Sequence, residues 1–275
     1  IHDINGNINL KWNGGIFFDV QADVIGGELS GIPTKYDDVL IEGCTFINVD
    51  RSGIKLVNSA WCNQWLPNSP YIPLNWYPST NVVVRNNYTE MTGGDGITTR
   101  DTDGALIEYN LAKDCRYQNT GYNVGIWPFE AANTVIQYNE AYNTHGTQDG
   151  QGLDCDHASS YSLMQYNYSH DNEGGFMLIM GGYPHTAPTV RYNISQNDCD
   201  KTFEFAQGIP KGTMIYNNTI YSDQIVSRGV LFLSNTAAGL GVNDFHMFNN
   251  LFCYPDGQTF YGGGNASNIT DLTNK

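Results

Sequence analysis

Three carboxylates fall within eight residues of one segment, His145-Gly146-Thr147-Gln148-Asp149-Gly150-Gln151-Gly152-Leu153-Asp154-Cys155-Asp156-His157. The part from Gly152 onward reads as a β-strand, in which side chains alternate between two faces. Asp154 and Asp156 then share one outward face, with Cα atoms about 6.5–7 Å apart from the strand rise. Asp149 lies in the turn feeding that strand and is expected to lean over the same groove. Carboxylates held this close repel one another, so a fold that keeps them together needs a reason. Glycoside hydrolysis supplies one, because it uses one carboxyl as acid and a second as base or nucleophile. The competing reading is a solvated or calcium-binding acidic patch. Asp is depleted in strands, which favours chemistry over that alternative.

A repeat must position these groups. An apolar residue, a gap, an aromatic or Asn, and then Asn recur as Val84–Asn87, Ile107–Asn110, Ile136–Asn139, Met164–Asn167, Val190–Asn193, Ile215–Asn218 and Met247–Asn250. An early copy, Ile41–Cys44, puts Cys44 in the Asn column. The steps between these asparagines are 23, 29, 28, 26, 25 and 32 residues, a variable period that fits a solenoid with shared strands and variable loops. A second strand follows a Gly in most copies, as in Gly53-Ile54, Gly96-Ile97, Gly125-Ile126, Gly152-Leu153, Gly175-Phe176 and Gly229-Val230. The apolar residue after it faces inward, giving a column of Ile54, Ile97, Ile126, Leu153, Phe176, Phe203 and Val230. Two outward columns follow. One is Lys55, Thr98, Trp127, Asp154, Met177, Glu204 and Leu231; the other is Val57, Arg100, Phe129, Asp156, Ile179, Ala206 and Leu233.

Short strands, no helical period and an internal Asn ladder predict an all-β fold, a right-handed parallel β-helix of about eight to nine coils. A β-propeller would need longer repeats, of about 40–45 residues. Residues 1–275 read as a single β-helix domain with an aromatic insertion at 58–80. Both ends look cut through coils, so a further domain or subunit is expected beyond them.

Around the aspartates, Gln151 shares their strand. Trp127 and Phe129 are expected one coil before it, and Met177 and Ile179 one coil after. Arg100 and Glu204 stand two coils away on opposite sides. The insertion carries Trp61, Trp65 and Trp76 and reads as a cleft wall or as a lid over a coil end. Aromatic faces stack on sugar rings, and carboxylates and amides take the hydroxyls; ordinary surface packing is the alternative for each aromatic. His170 is expected in the turn one coil above Asp149, within reach of an aspartate or a substrate hydroxyl.

Composition narrows the class. The 275-residue chain has 13 Lys+Arg and a formal charge of −15, which disfavours nucleic acid and anionic lipid as partners. No apolar run is long enough to span a membrane. Charged residues are only 15% and aromatics 13%, a neutral, hydrogen-bonding, aromatic surface suited to an oligosaccharide or polysaccharide. The six cysteines, with no CxxC pair, argue against zinc and read as buried thiols.

The stretch Asp149-Gly150-Gln151-Gly152-Leu153-Asp154-Cys155-Asp156, followed by Gln165-Tyr166-Asn167-Tyr168-Ser169-His170-Asp171-Asn172-Glu173-Gly174-Gly175, resembles glycoside hydrolase family 136, the lacto-N-biosidases. The resemblance implies a secreted or surface-bound bacterial enzyme that cleaves a disaccharide from milk-type glycans with retention. It implies Asp149 as acid/base and Asp156 as nucleophile, with an N-terminal helper domain elsewhere in the protein. No cofactor is implied, and calcium is the one ion the acidic segment would suit. Two other classes remain. A calcium-dependent polysaccharide lyase would use Arg100 or Lys55 as base, and a glycan-binding solenoid without catalysis would explain the aromatics but not the packed aspartates.

Overall fold

The computed structural model describes residues 1–4, 13–25, 28–29, 31–58, 60–61, 76–118, 121–181, 187–234 and 245–263. Within them the chain winds through three parallel sheets, each built by adding one strand per turn. The first sheet runs 2–4, 45–49, 88–92, 111–113, 140–142, 168–170, 194–196, 219–221 and 251–253. The second runs 14–20, 52–58, 97–100, 126–129, 151–155, 175–180, 203–206, 231–234 and 261–262. The third runs 37–42, 79–85, 106–108, 135–137, 163–165, 189–191, 213–216 and 245–248, with the short strand 102–103 beside 79–80. A small antiparallel pair, 24–25 with 28–29, stands apart. No helix occurs among the described residues, so none is long and apolar enough to cross a membrane. This is the expected β-helix, with three faces where the repeat had revealed two.

The extra face comes from the Asn phrase itself. Its apolar half is the third-sheet strand, and the residues after Asn begin the first-sheet strand. One residue in the left-handed region makes the corner between them, as at Tyr109, Tyr138, Tyr166 and Tyr192, with φ of 54–56°. The Asn after it points inward. Each Asn donates from Nδ2 to Oδ1 of the next coil's Asn at 2.9–3.0 Å, from Asn87 to Asn250. The same oxygens accept the backbone N–H of the preceding Asn. Cys44 takes the expected first rung, its N–H donating to Asn87 Oδ1 at 3.0 Å. The ladder thus satisfies corner amides that a buried turn would otherwise strand. Outside it the four tyrosine rings stack 5.0–5.3 Å apart.

Inward residues fill the bore. Ile54, Ile97 and Ile126 pair in register with one another, then with Leu153, Met177, Phe203 and Leu231. Here the structure corrects the expected columns. Met177, Ile179, Leu231 and Leu233, expected on the outer face, lie in the core, so Leu178, Met180, Phe232 and Ser234 take the outward positions instead. The cause is register. Gln151 pairs with Gly175 and Leu153 with Met177, so the Gly of the later strand aligns one residue earlier than Gly152. Phe176 stays in the core as expected, against Phe203, but from Met177 onward the one-residue slip moves the side chains to the other face. The expectation of buried thiols holds for Cys115 and Cys155, whereas Cys199 and Cys253 are exposed and Cys44 is half-buried. Cys62 lies outside the described residues. Burial pushes the Cys115 thiol up to about 12.

A second interior ladder lines the corner between the first and second sheets. Thr144 N–H donates to Asn172 Oδ1, and Asn172 donates from N and Nδ2 to Asp198 Oδ1 at 3.1 and 2.8 Å. Asp198 Oδ2 accepts from the Ser169 and Ser195 hydroxyls at 2.8 and 2.7 Å. Burial raises Asp198 to about 6, although these hydrogen bonds pull the other way. The folded state therefore holds a proton that the unfolded chain loses near its ordinary value. Stability from this group is present at low pH and is lost as pH rises from about 4 to about 6, roughly 3 kcal/mol in all. Asp198→Asn keeps an acceptor for Asn172, and the serine hydroxyls can rotate to accept from its amide. It should equal or exceed the parent in stability at pH 7, with the difference shrinking towards pH 4 in urea denaturation. Parallel stability curves across that range would disprove this account.

Candidate active site

Asp149 is delivered by a turn, not by a strand. Asp149 and Gly150 both lie in the left-handed region, with φ of 79° and 82°. A Cβ at Gly150 would fall 1.8 Å from the Gly146 carbonyl oxygen, so no side chain fits there. The next coil closes on the same turn: a Cβ at Gly174 would lie 1.8 Å from the Asp149 carbonyl oxygen. Gly174 N–H donates to Gly150 O at 3.0 Å, and Gly150 N–H donates to Asn123 O at 3.1 Å. The backbone carrying Asp149 is thus clasped between two coils.

Asp154 and Asp156 leave the outer face of the second sheet as expected. Ile126 pairs with Leu153, which sets Trp127 beside Asp154. Asp154 is 1% exposed. Asp156 is more open, with its side chain 17% exposed and its Oδ1 accepting the His157 N–H at 2.6 Å. Burial holds the Asp149 carboxyl well above the usual carboxylate range, with the charges of Asp156 and then Glu204 adding to it and Lys201 and Arg116 opposing it. Burial likewise raises Asp154, again with Asp156, Asp149 and Glu204 contributing. Four carboxyls therefore share one field, and Glu204 reaches them across two coils. Its Oε2 accepts from Gln151 Nε2 at 2.7 Å and pairs with Lys201 Nζ at 3.1 Å, while its Oε1 accepts from Ser234 Oγ at 2.5 Å.

The neighbours are arranged differently from expectation. Trp127 stands in the outward column but is only 7% exposed, so it is not an open stacking platform. Its ring lies between Lys55, with Nζ 6.0 Å from the ring centroid, and Phe129, with centroids 5.7 Å apart. Phe129 is half-buried, with Arg100 over its face at 4.8 Å. Arg100 itself donates to Glu130 at 2.7 and 2.9 Å and pairs with Asp101 at 3.2 Å. Lys55 pairs with Asp95 at 3.5 Å. Both candidate lyase bases are therefore engaged in ion pairs. Met177 and Ile179 leave the site for the core. His170 lies round the corner on the first sheet, with Nδ1 2.7 Å from Asp171 and Nε2 3.1 Å from Glu140, stacked between Tyr142 and Tyr168. Trp61 is buried in a small cluster with Val20 and Ala60, three coils before the aspartate strand. Trp76 is half-buried, and Trp65 lies outside the described residues.

Several buried polar atoms beside the aspartates have no hydrogen-bond partner among the described residues: Asp154 Oδ1, Gln151 Oε1, Trp127 Nε1 and Thr98 Oγ1. Among those residues no trio of His, Cys, Asp or Glu has the spacing to hold a metal ion. Sequence reasoning missed the roles of Lys201 and Arg116, and of His157, whose Nδ1 lies 3.2 Å from Gly181 O and Nε2 3.9 Å from Asp156 Oδ1. His157 directly follows Asp156, which was a usable signal. The two cations come from corners of other coils, where the repeat carries no register.

Known proteins bear on this arrangement. The chain is 37% identical over 262 residues to a lacto-N-biosidase of Bifidobacterium longum subsp. longum, the match covering 81% of this chain and 16% of that protein. The chain thus spans about a sixth of the relative's length. It superposes on the crystal structure of a GH136 lacto-N-biosidase from Eubacterium ramulus with a TM-score of 0.61 at 24% identity, covering 83% of this chain and 36% of that one. The family described as right handed beta helix region matches residues 74–220, more than half of the chain and all of the aspartate coil. The chain belongs to the right-handed β-helix family, as a member similar to the GH136 lacto-N-biosidases.

Proposed function

We propose that this chain carries the catalytic β-helix of a retaining glycoside hydrolase of lacto-N-biosidase type, with Asp149 as acid/base and Asp156 as nucleophile. The observation that carries this reading is the charge that one group places on the other. Desolvation and then the charge of Asp156 favour the protonated form of Asp149, while both side chains remain partly open to a substrate. A carboxyl held protonated by a charged neighbour can serve as acid while that neighbour serves as nucleophile. Asp149 protonates the glycosidic oxygen as Asp156 attacks the anomeric carbon, forming a glycosyl ester and freeing the leaving sugar. Esterification removes the charge of Asp156, the largest electrostatic contribution after burial to the hold on the Asp149 proton. Asp149 is then less basic by that amount, having already given up its proton. It takes a proton from water as the water opens the ester, and the restored Asp156 charge reinstates its high affinity. The cycle needs no cofactor.

Sugar hydroxyls would satisfy the unpartnered Trp127 Nε1, Asp154 Oδ1 and Gln151 Oε1. In this reading Trp127 recognises sugar by its indole N–H at a covered edge, and Phe129 offers the more open ring. The similarity to lacto-N-biosidases supports action on a glycan that ends in lacto-N-biose; we place the protein outside a bacterial cell or on its surface, with further segments of the same protein completing the site. The test is incubation of the full-length protein with such an oligosaccharide, followed by proton NMR from the first minutes. Release of a disaccharide whose first-formed anomer matches the substrate is expected. An inverted first anomer would exclude the nucleophile role, and an absorbing unsaturated product would make the protein a lyase.

A further inference from the structure

The turn that delivers Asp149 is exposed at Thr147 and Gln148, yet charged side chains from three places hold its backbone. Arg116, 2% exposed, comes from the preceding coil. Its Nη1 donates to His145 O at 2.8 Å, while Nε and Nη2 donate to Gly121 O at 3.1 and 2.8 Å. Lys201, 1% exposed, comes from a later coil. Its Nζ donates to Thr147 O at 2.9 Å and pairs with Asp200 at 3.2 Å and Glu204 at 3.1 Å. Glu173 accepts the Gly146 N–H at 2.5 Å and meets His145 Nδ1 at 3.2 Å.

Burying an ammonium and a guanidinium is costly unless each is fully partnered. Neutral donors would hold two carbonyls at lower cost. Both buried cations instead converge on one five-residue turn, and both lie in the field of the carboxyl it carries. We propose that Arg116 and Lys201 are positioning residues for Asp149, fixing from the coils on either side the turn that presents its carboxyl group.

Their charge has a consequence for the reaction. Asp149 is faced by Asp156 and Glu204, which favour its protonated form, and by Lys201 and Arg116, which favour the ionised form. Asp154 shares the same field, and Glu173, Asp95 and Arg51 also act on Arg116. Without a cation, the proton would be held more tightly. An acid that must act again as base needs a proton it can release, and the two cations supply that balance. A misplacement of a catalytic group by about 1 Å can cost about a hundredfold, so the hydrogen bonds to the turn matter as much as the charge.

This inference rests on the reading of Asp149 as the acid, and the experiment separates the two. In the full-length protein, Lys201→Met, Lys201→Arg, Arg116→Gln and Asp149→Asn are compared on an oligosaccharide ending in lacto-N-biose, with kcat and KM measured across pH. Lys201→Met is expected to lower kcat about tenfold or more with KM changed little, the scale of a displaced acid/base group. Its alkaline limb in kcat/KM should move to higher pH, because the acid keeps its proton longer. Lys201→Arg should restore both kcat and the limb. Arg116→Gln should move the limb in the same direction, and it carries the test if Lys201→Met does not fold. Folded variants with the parental kcat and limb, beside an inactive Asp149→Asn, would overturn the inference alone. A uniform loss at every pH with an unmoved limb would also overturn it, as the mark of a purely structural role. A fully active Asp149→Asn would overturn the reading beneath it, and the inference with it.

Discussion

Asp149→Asn and Asp156→Asn are each expected to lower turnover on a glycan substrate by at least about a hundredfold, within the usual range for acid/base and nucleophilic groups. The two should differ in kind. Asn at 149 cannot donate the proton that a sugar leaving group requires, but a nitrophenolate leaves without one. Asp149→Asn should therefore retain much more of its first step on a 4-nitrophenyl glycoside than on an oligosaccharide. Asn at 156 removes the attacking group, so neither substrate should be turned over. Stability should move the other way. Desolvation and the charge of Asp156 raise Asp149 and Asp154, so neutralising Asp156 relieves that field. Asp156→Asn should therefore melt at or slightly above the parental temperature, as strained functional sites do when relaxed, and Asp149→Asn close to it. Near-normal turnover of the oligosaccharide by either variant would remove that residue from the mechanism.

These expectations rest on parts of the molecule that were unequally legible. The aspartate segment could be read because two of its carboxyls lie on one strand, where period-two alternation alone places them. The corner ladder could be read because each rung repeats one residue type at one place relative to an apolar pair. Glycine made a poorer marker. In Gly174-Gly175 the first glycine makes room for the Asp149 backbone, and the second, with φ of 119°, occupies the place of Gln151. Aligning Gly175 with Gly152, where the register sets Phe176, exchanged Met177 for Leu178. The burial of Trp127 was hidden for another reason: alternation says which face a side chain leaves, not what covers that face. Arg116 and Lys201 were out of reach because their contacts are to backbone carbonyls of a turn at the same corner, one and two coils away in space but 29 and 54 residues away in sequence.

Asn139→Ala should cost the fold about 3–5 kcal/mol, because it breaks the ladder on the coil that carries the aspartates. Asn139 Oδ1 accepts both the N–H and the Nδ2 of Asn110 at 2.9 Å. Its own Nδ2 donates to Ile107 O, Gln137 O and Asn167 Oδ1 at 2.9–3.0 Å. Truncation leaves the Asn110 N–H without its acceptor in a site 2% exposed, and weakens the satisfaction of the Ile107 carbonyl. Each buried group so stranded costs about 1–3 kcal/mol, and the total is a large share of the roughly 5–15 kcal/mol that a domain has. The end rung provides the contrast. Asn250 makes equivalent bonds to Asn218, Ile215 and Phe248 but is half-exposed, so water can replace them. Asn250→Ala should therefore cost clearly less. A solenoid is stabilised by each coil's contact with the next, so a broken central rung should also uncouple the two halves and lower the urea slope, as a two-state transition splits. Equal costs for the two variants, or a loss below about 1 kcal/mol at Asn139, would show that strand pairing alone holds the coils in register. In that case the 145–149 turn would owe its place to Arg116 and Lys201 without help from the corner below it.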